Sequence, residues 1–418
     1  MEEKDLKDAA GKIESYAVEL TRELIRIPTC NPPGKDYDKC AAFLAGELSK
    51  LNVETELVSV PAEELQELAP QGEGLPRPSV LGRLRGMEGG HVLHLTGHYD
   101  VVPAGDGWST DPFDPIIKNG RIHGRGAVDM KSGIASILAA IKLLRDQSVK
   151  LKGDITISLV PDEETGGQAG AGYIVGKGLV RADYAILTEP ASPDVVKLAH
   201  KGALWLEVTT IGKAAHGAFP FLGVNAFDKM VNVYKGLKEL NEKLKGRITA
   251  FPADLEYEEG KRASMNIGGI VRGGAKVNVV PDRCTITIDR RLNPEEDLEE
   301  AFEEINAVLQ RLKRDDPELK LEVKTLLKAA SAAVSREEHI CRSVADTIQK
   351  VLRRKPKYWM TPGFMDMRYF IYDAGIPTVS YGPAGLPHVA NESVAISDIT
   401  DCTKVISAVA MDLLGGNA

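Results

Sequence analysis

The chain is poor in cysteine and has none in pairs. Cys30, Cys40, Cys284, Cys341 and Cys402 are odd in number, scattered through 418 residues and never in a CxxC spacing. That argues against a disulfide framework and for reduced thiols in a cytoplasmic protein. No segment approaches the ~20 consecutive apolar residues that span a bilayer, so no membrane helix is expected. Residues 1–27 carry charges throughout and lack the unbroken apolar stretch of a signal peptide, so they read as an amphipathic helix. Basic charge is not in excess: 52 Lys and Arg face 60 Asp and Glu, for a formal net charge of −8. A nucleic-acid binder would need a basic face, so no nucleic-acid partner is expected. A local basic pocket for a carboxylate substrate is still allowed. There are no internal repeats and no low-complexity tracts. No GxGxxG follows a strand, and no GxSxG or framed nucleophilic cysteine is present. Ala171–Gly178 comes nearest to a P-loop, but alanine replaces its first glycine and glycine its Ser/Thr.

What is present points to a globular protein of two domains: 43% hydrophobic and 27% charged residues in a chain too long for one ordinary core. The first half alternates. Residues 91–96, 154–160 and 184–187 read as strands, and Ile134, Ile137, Leu138, Ile141 and Leu144 give residues 130–145 a helical period. The expected class is α/β, with a mixed, mostly parallel sheet and helices on both faces. The pattern then becomes β-α-β-β-α-β, over 203–211, 225–244, 264–271, 284–291, 295–313 and 319–326. That is the order of a ferredoxin-like α+β unit. The domain expectation is therefore a discontinuous catalytic domain, 1–200 and 329–418, interrupted by a second domain, 201–328. A helix from 336 to 352, a strand over 378–381 and a final helix from 398 complete the first domain. Residues 63–78, polar and rich in Pro and Gly, read as an exposed loop.

The chemistry resides in His98, Asp129, Glu163, Glu164, Glu189 and His388. Two histidines and four carboxylates can ligate two divalent metals with one acid to spare. His98, Glu163, Glu164 and Glu189 fall at strand ends, where ligands collect in parallel sheets. Asp129 is placed at a helix N-terminus, and its two oxygens could bridge two cations. If one of Glu163 and Glu164 binds metal, its neighbour stays close without being a ligand, as a general base must. Asp100, two residues beyond His98 in extended chain, can hold the histidine's other N–H. The donors are oxygen and nitrogen only, which suits two Zn2+, with Co2+ or Mn2+ as substitutes. His91 and His94, within a strand, His123, in a turn, His200, ahead of the second domain, and His339, on a helix, read as structural or surface residues.

These motifs resemble the M20 metallopeptidase family, in its acetylornithine deacetylase and succinyl-diaminopimelate desuccinylase branch. They are His98-x-Asp100-x-Val102-Pro103, Gly124-Arg125-Gly126-Ala127-x-Asp129-Met130-Lys131, the acid pair, Thr188-Glu189-Pro190 and Gly385-Leu386-Pro387-His388. The likeness runs from about residue 14 to 413. It implies that His98 and Glu189 hold one zinc, Glu164 and His388 the other, with Asp129 bridging and Glu163 as general base. Asp100 would orient His98. It implies a lid and dimerisation role for the inserted domain, hence a homodimer. There His216 would stabilise the oxyanion in the partner's site, while Arg291 and Asn278 would contact substrate. Phe364 and Met365 stand where the family carries small or polar residues, which implies a more apolar pocket. The expected reaction is hydrolysis of an N-acetyl or N-succinyl amino acid, the alternative a dipeptidase or carboxypeptidase acting on a short peptide. A scaffold that keeps the metal without turnover is a third reading.

Overall fold

The computed structural model describes residues 3–87, 89–253 and 258–415. The chain forms two compact units. One comprises Met1–Leu198, Val334–Tyr358 and Met365–Ala418; the other comprises Ala199–Ala333 and Trp359–Phe364.

The first unit is built on a twisted sheet. Its strands run, in spatial order, Glu54–Ser59, Pro78–Leu84, Asp154–Val160, Val92–His98, Tyr184–Leu187, Thr378–Ser380 and Val195–His200. The four central strands from Asp154–Val160 to Thr378–Ser380 pair in parallel. The strands outside them pair antiparallel. Ile155, Ile157, Leu159 and Val160 are all buried, as expected of a central strand covered on both faces. The helix Ser132–Asp146 is buried along nearly its whole length. It packs with Glu3–Arg26 and Ile396–Leu414 on one side of the sheet. Val160, Ile174, Phe370 and Ile376 form a separate core cluster.

The second unit is a four-stranded antiparallel sheet in the order Ser264–Gly273, Arg283–Leu292, Gly202–Ile211, Lys320–Ala329. The helices Ala226–Leu244 and Leu298–Asp315 close its core around Leu206, Val233, Ile288 and Ile305. Both helices begin on a polar cap: Asn225 accepts from the N–H groups of Phe227 and Asp228, and Asp297 from those of Glu299 and Glu300. Such caps satisfy orphan donors of the first turn. Asn225→Ala is expected to cost about 1 kcal/mol, read as a lower urea midpoint; an unchanged midpoint would show the cap to be idle.

Two local readings are corrected. Residues 63–78 are not a plain exposed loop: Ala62–Leu68 is helical, Pro70–Gly72 makes a further turn, and Arg77 is completely buried. Its guanidinium has a fixed partner far along the chain, which a local reading of polarity does not see. His123 lies not in a turn but in the short strand Arg121–His123, paired with Ser393–Ala395. Among the described residues no helix is long and apolar enough to cross a membrane.

Candidate metal centre

Three adjacent parallel strands deliver the first ligand candidates. His98 is the last residue of Val92–His98 rather than the one beyond it. After Asp154–Val160 the chain turns through Asp162, at φ 68°, into a single helical turn, Glu163–Thr165. Gly166 and Gly167 close that turn at φ 113° and 70°. A side chain on Gly167 would also meet the Asp366 carboxylate at 2.1 Å, so glycine is required there. Glu189 follows Tyr184–Leu187 by two residues. Asp129 departs from the expectation of a helix first turn. It sits in the irregular turn Ala127–Lys131 at φ −117°, ψ 98°, and the regular helix starts only at Ser132. Packing, not a helix dipole, therefore aims its carboxylate. His388 lies on a loop at φ 63° and is half-exposed, whereas His98 is buried.

These residues converge. His98 Nε2 lies 3.0 Å from Asp129 Oδ1, 3.6 Å from Glu189 Oε1 and 3.9 Å from Glu163 Oε2. His388 Nε2 lies 3.3 Å from Asp129 Oδ2 and 3.2 Å from Glu164. The two oxygens of Asp129 thus face two different histidines. Donors around a tetrahedral zinc with bonds of about 2.0–2.2 Å stand roughly 3.3–3.6 Å apart. The observed spacings suit a cation on each side of Asp129. Donor atoms of His98, Asp129 and Glu164, and of His98, Glu163 and Glu189, each fall within 4.8 Å of one another.

The electrostatics agree. Burial, with Glu189 alongside, pushes Glu163 well above the usual carboxylate range. Burial and the nearby Asp129 push Glu189 up to about 8. Hydrogen bonds to Asp129 and Glu164 raise His388 to about 10. Carboxylates crowded out of water repel one another, and a divalent cation is what such a cluster binds best.

Supporting residues hold the ligand candidates in place. His98 Nδ1 is 3.0 Å from the Asp100 carbonyl and 3.4 Å from its carboxylate, which leaves Nε2 for a metal. The Asp100 carboxylate also accepts from the N–H groups of Glu163 and Glu164, each at 3.2 Å, and from Asn31 Nδ2 at 2.9 Å. One buried acid therefore orients both a histidine and the acid-pair turn. Asp162, just before that pair, accepts from Arg77 Nε at 2.6 Å and from the Tyr37 hydroxyl at 3.0 Å. Asn31, Tyr37, Arg77 and Asp162 were not singled out from the sequence. Only Asp162, beside the acid pair, left a signal there.

The remaining candidates lie in the second unit. His216 is exposed and pairs with Val279 in an isolated bridge; its Nδ1 accepts from Ala218 N–H. The Asn278 carbonyl accepts from Gly217 N–H at 2.8 Å, so Asn278 is a neighbour of His216. Arg291 is already engaged: its Nε and Nη2 lie 2.8 and 3.0 Å from the Asp289 carboxylate, and it stacks near Trp205 and Phe364. Arg290 points to the other face and pairs with Glu296. A groove of about 660 Å³ around Arg83, Thr156 and Arg181 in the first unit contains none of the ligand candidates.

The chain as a whole is similar to known proteins. Residues 94–412 match the family model described as peptidase family M20/M25/M40. The chain is 28% identical over 424 residues to the N-formyl-4-amino-5-aminomethyl-2-methylpyrimidine deformylase of Bacillus subtilis, with 94% of each chain covered. It is 30% identical over 301 residues to a probable succinyl-diaminopimelate desuccinylase of Staphylococcus aureus, covering 68% of this chain and 70% of that one. A di-peptidase of Saccharomyces cerevisiae has the same fold, with a TM-score of 0.80 at 17% identity over 98% of each chain.

Proposed function

Because the chain belongs to peptidase family M20/M25/M40 and is a metal-dependent amide hydrolase, we propose that it uses two zinc ions to cleave an N-acyl amino acid at its acyl–nitrogen bond. The observation that carries this reading is the orientation of Asp129, one oxygen toward His98 and the other toward His388. In this assignment His98 and Glu189 hold one ion, Glu164 and His388 the other, and Asp129 both. Cobalt or manganese ions are chemically admissible in their place. Bound divalent ions lower the pKa of water and polarise a carbonyl. Glu163, buried beside His98 yet outside this ligand set, takes the proton of the attacking water and passes it to the departing amine. Asp100 keeps His98 and the Glu163–Glu164 turn aligned. The products are a carboxylic acid and a free amine.

The substrate assigned first is an N-acetyl or N-succinyl amino acid, in keeping with the desuccinylase relatives. One observation favours a second reading, an N-formyl amine that carries no carboxylate: the arginine proposed to grip a substrate carboxylate is already paired with Asp289. The deformylase and a desuccinylase match the chain over the same share, 94% of it in each case. Hydrolysis of formyl, acetyl and succinyl amides and of dipeptides, compared by kcat/KM, separates the readings. A dipeptide winning by orders of magnitude would overturn the deacylase reading. Two metals bound with no turnover of any amide would favour the binding scaffold.

The proposal includes a cytoplasmic homodimer in which the Lys201–Lys328 region forms the lid and dimer contact. His216 would stabilise the oxyanion across subunits, with Asn278 and Arg291 at the substrate. His216→Ala and Glu163→Ala, each inactive alone, should regain partial activity when mixed and allowed to exchange subunits. No recovery despite demonstrated exchange would refute action in trans.

A further inference from the structure

We propose that Glu392 is a positioning residue for the metal centre, setting metal affinity by fixing the turn that carries Asp129; this rests on the two-ion reading above. Nothing in the sequence singled it out. Glu392 is buried, four residues beyond His388 and just before the strand Ser393–Ala395.

Its carboxylate is divided between two tasks. Oε1 accepts from Val128 N–H at 2.8 Å and from the N–H of Asp129 itself at 3.3 Å. The irregular turn Ala127–Lys131 offers these donors no helical partner, and a buried unpaired N–H is costly. Oε2 receives Nη1 of Arg125, which is itself buried. Arg125 then donates through Nη2 to the Ala104 carbonyl at 3.0 Å, and its guanidinium lies 5.3 Å from the centre of the Trp108 ring. Ala104 directly follows the segment that begins at His98. The main chain adds a further tie: Gly124 N–H donates to the Glu392 carbonyl at 3.0 Å, and Ser393–Ala395 pairs with Arg121–His123.

One carboxylate thus stands where the segments carrying His98, Asp129 and His388 meet. A buried ion pair that served only stability would need Arg125 alone. The bond to the amide of the bridging ligand is what turns this pair toward the metals. Residues that hold a metal ligand in place typically change metal affinity about 10–100-fold when altered.

The contrast between two conservative variants tests this. Glu392→Asp keeps the charge, which the flexible Arg125 side chain can follow, but withdraws the acceptor from backbone amides that cannot move with it. Glu392→Gln keeps an acceptor in reach of those amides but loses the charge. Zinc affinity of the full-length, metal-stripped folded protein would be read by competition with a chromophoric chelator, alongside the urea midpoint. Asn225→Ala, in the other unit, serves as a control that lowers stability alone. Glu392→Asp should bind zinc about 10–100-fold more weakly, with a smaller loss in Glu392→Gln and none in Asn225→Ala. Parental affinity in Glu392→Asp, or a larger loss in Glu392→Gln, would overturn the proposal in favour of a structural ion pair. A parent protein that itself binds no zinc would instead overturn the two-ion reading.

Discussion

Glu163→Gln should abolish nearly all turnover and leave metal content intact. The substitution conserves shape and removes the proton acceptor. A positioned general base contributes about 10²–10⁴-fold to rate, and the loss should appear in kcat rather than KM, because the ground-state complex keeps its contacts. Metal analysis of the same preparation decides between two roles. Glu163 Oε2 stands 3.9 Å from His98 Nε2, within ligand range of the same cluster as Glu189. If Glu163→Gln lost a metal along with its activity, Glu163 would be a ligand and the base would have to be sought elsewhere. Parental kcat would remove it from the mechanism altogether.

Arg77→Met should produce the largest loss of stability. Arg77 and Asp162 are both fully buried and their charges meet at 2.6 Å. Removing one member of such a pair leaves an uncompensated charge and typically costs about 3–5 kcal/mol. The pH dependence has a definite sign. Burial and the neighbouring Asp100 raise Asp162 to about 6, outweighing the pull of Arg77. Without Arg77 its proton affinity rises further. Above that range the parent's Asp162 is a paired carboxylate, whereas the variant must either keep its proton or, higher still, hold a buried, unpaired charge. Below it both proteins carry a neutral acid. The gap in urea midpoint between parent and Arg77→Met should therefore be wide at pH 8 and narrow toward pH 5. A gap that widened on acidification would contradict the assignment of the cost to Asp162. Because Asp162 leads directly into Glu163, a folded Arg77→Met protein should also lose activity.

How much could be read in advance depends on the distance over which each feature is decided. Asp154–Val160 was readable to the residue, because a run of β-branched and apolar side chains between turns is a local property. The β-α-β-β-α-β order of the second unit was readable for the same reason, with the observed sheet order following from it. The start of the helix after Asp129 was missed. Met130 and Lys131 are apolar or long enough to continue the period, and only tertiary packing makes residues 127–131 irregular. The residues that support the candidate ligands were out of reach for a stronger reason. Asn31 meets Asp100 across 69 positions, Arg77 meets Asp162 across 85, and Arg125 meets Glu392 across 267. No window along the chain contains both partners. A buried arginine in a polar stretch is indistinguishable from an exposed one until the fold brings its partner to it. The candidate ligands carried their own signal because His98, Glu163 and Glu189 stand at or just beyond the ends of parallel strands, where ligands collect.

The most direct test of the central claim is anomalous diffraction from crystals of the zinc-loaded protein, collected on both sides of the zinc edge. The account predicts two zinc peaks flanking Asp129, roughly 3.5–4 Å apart as in bridged pairs, one beside His98 and Glu189 and the other beside Glu164 and His388. A single peak, or zinc bound away from Asp129, would contradict it.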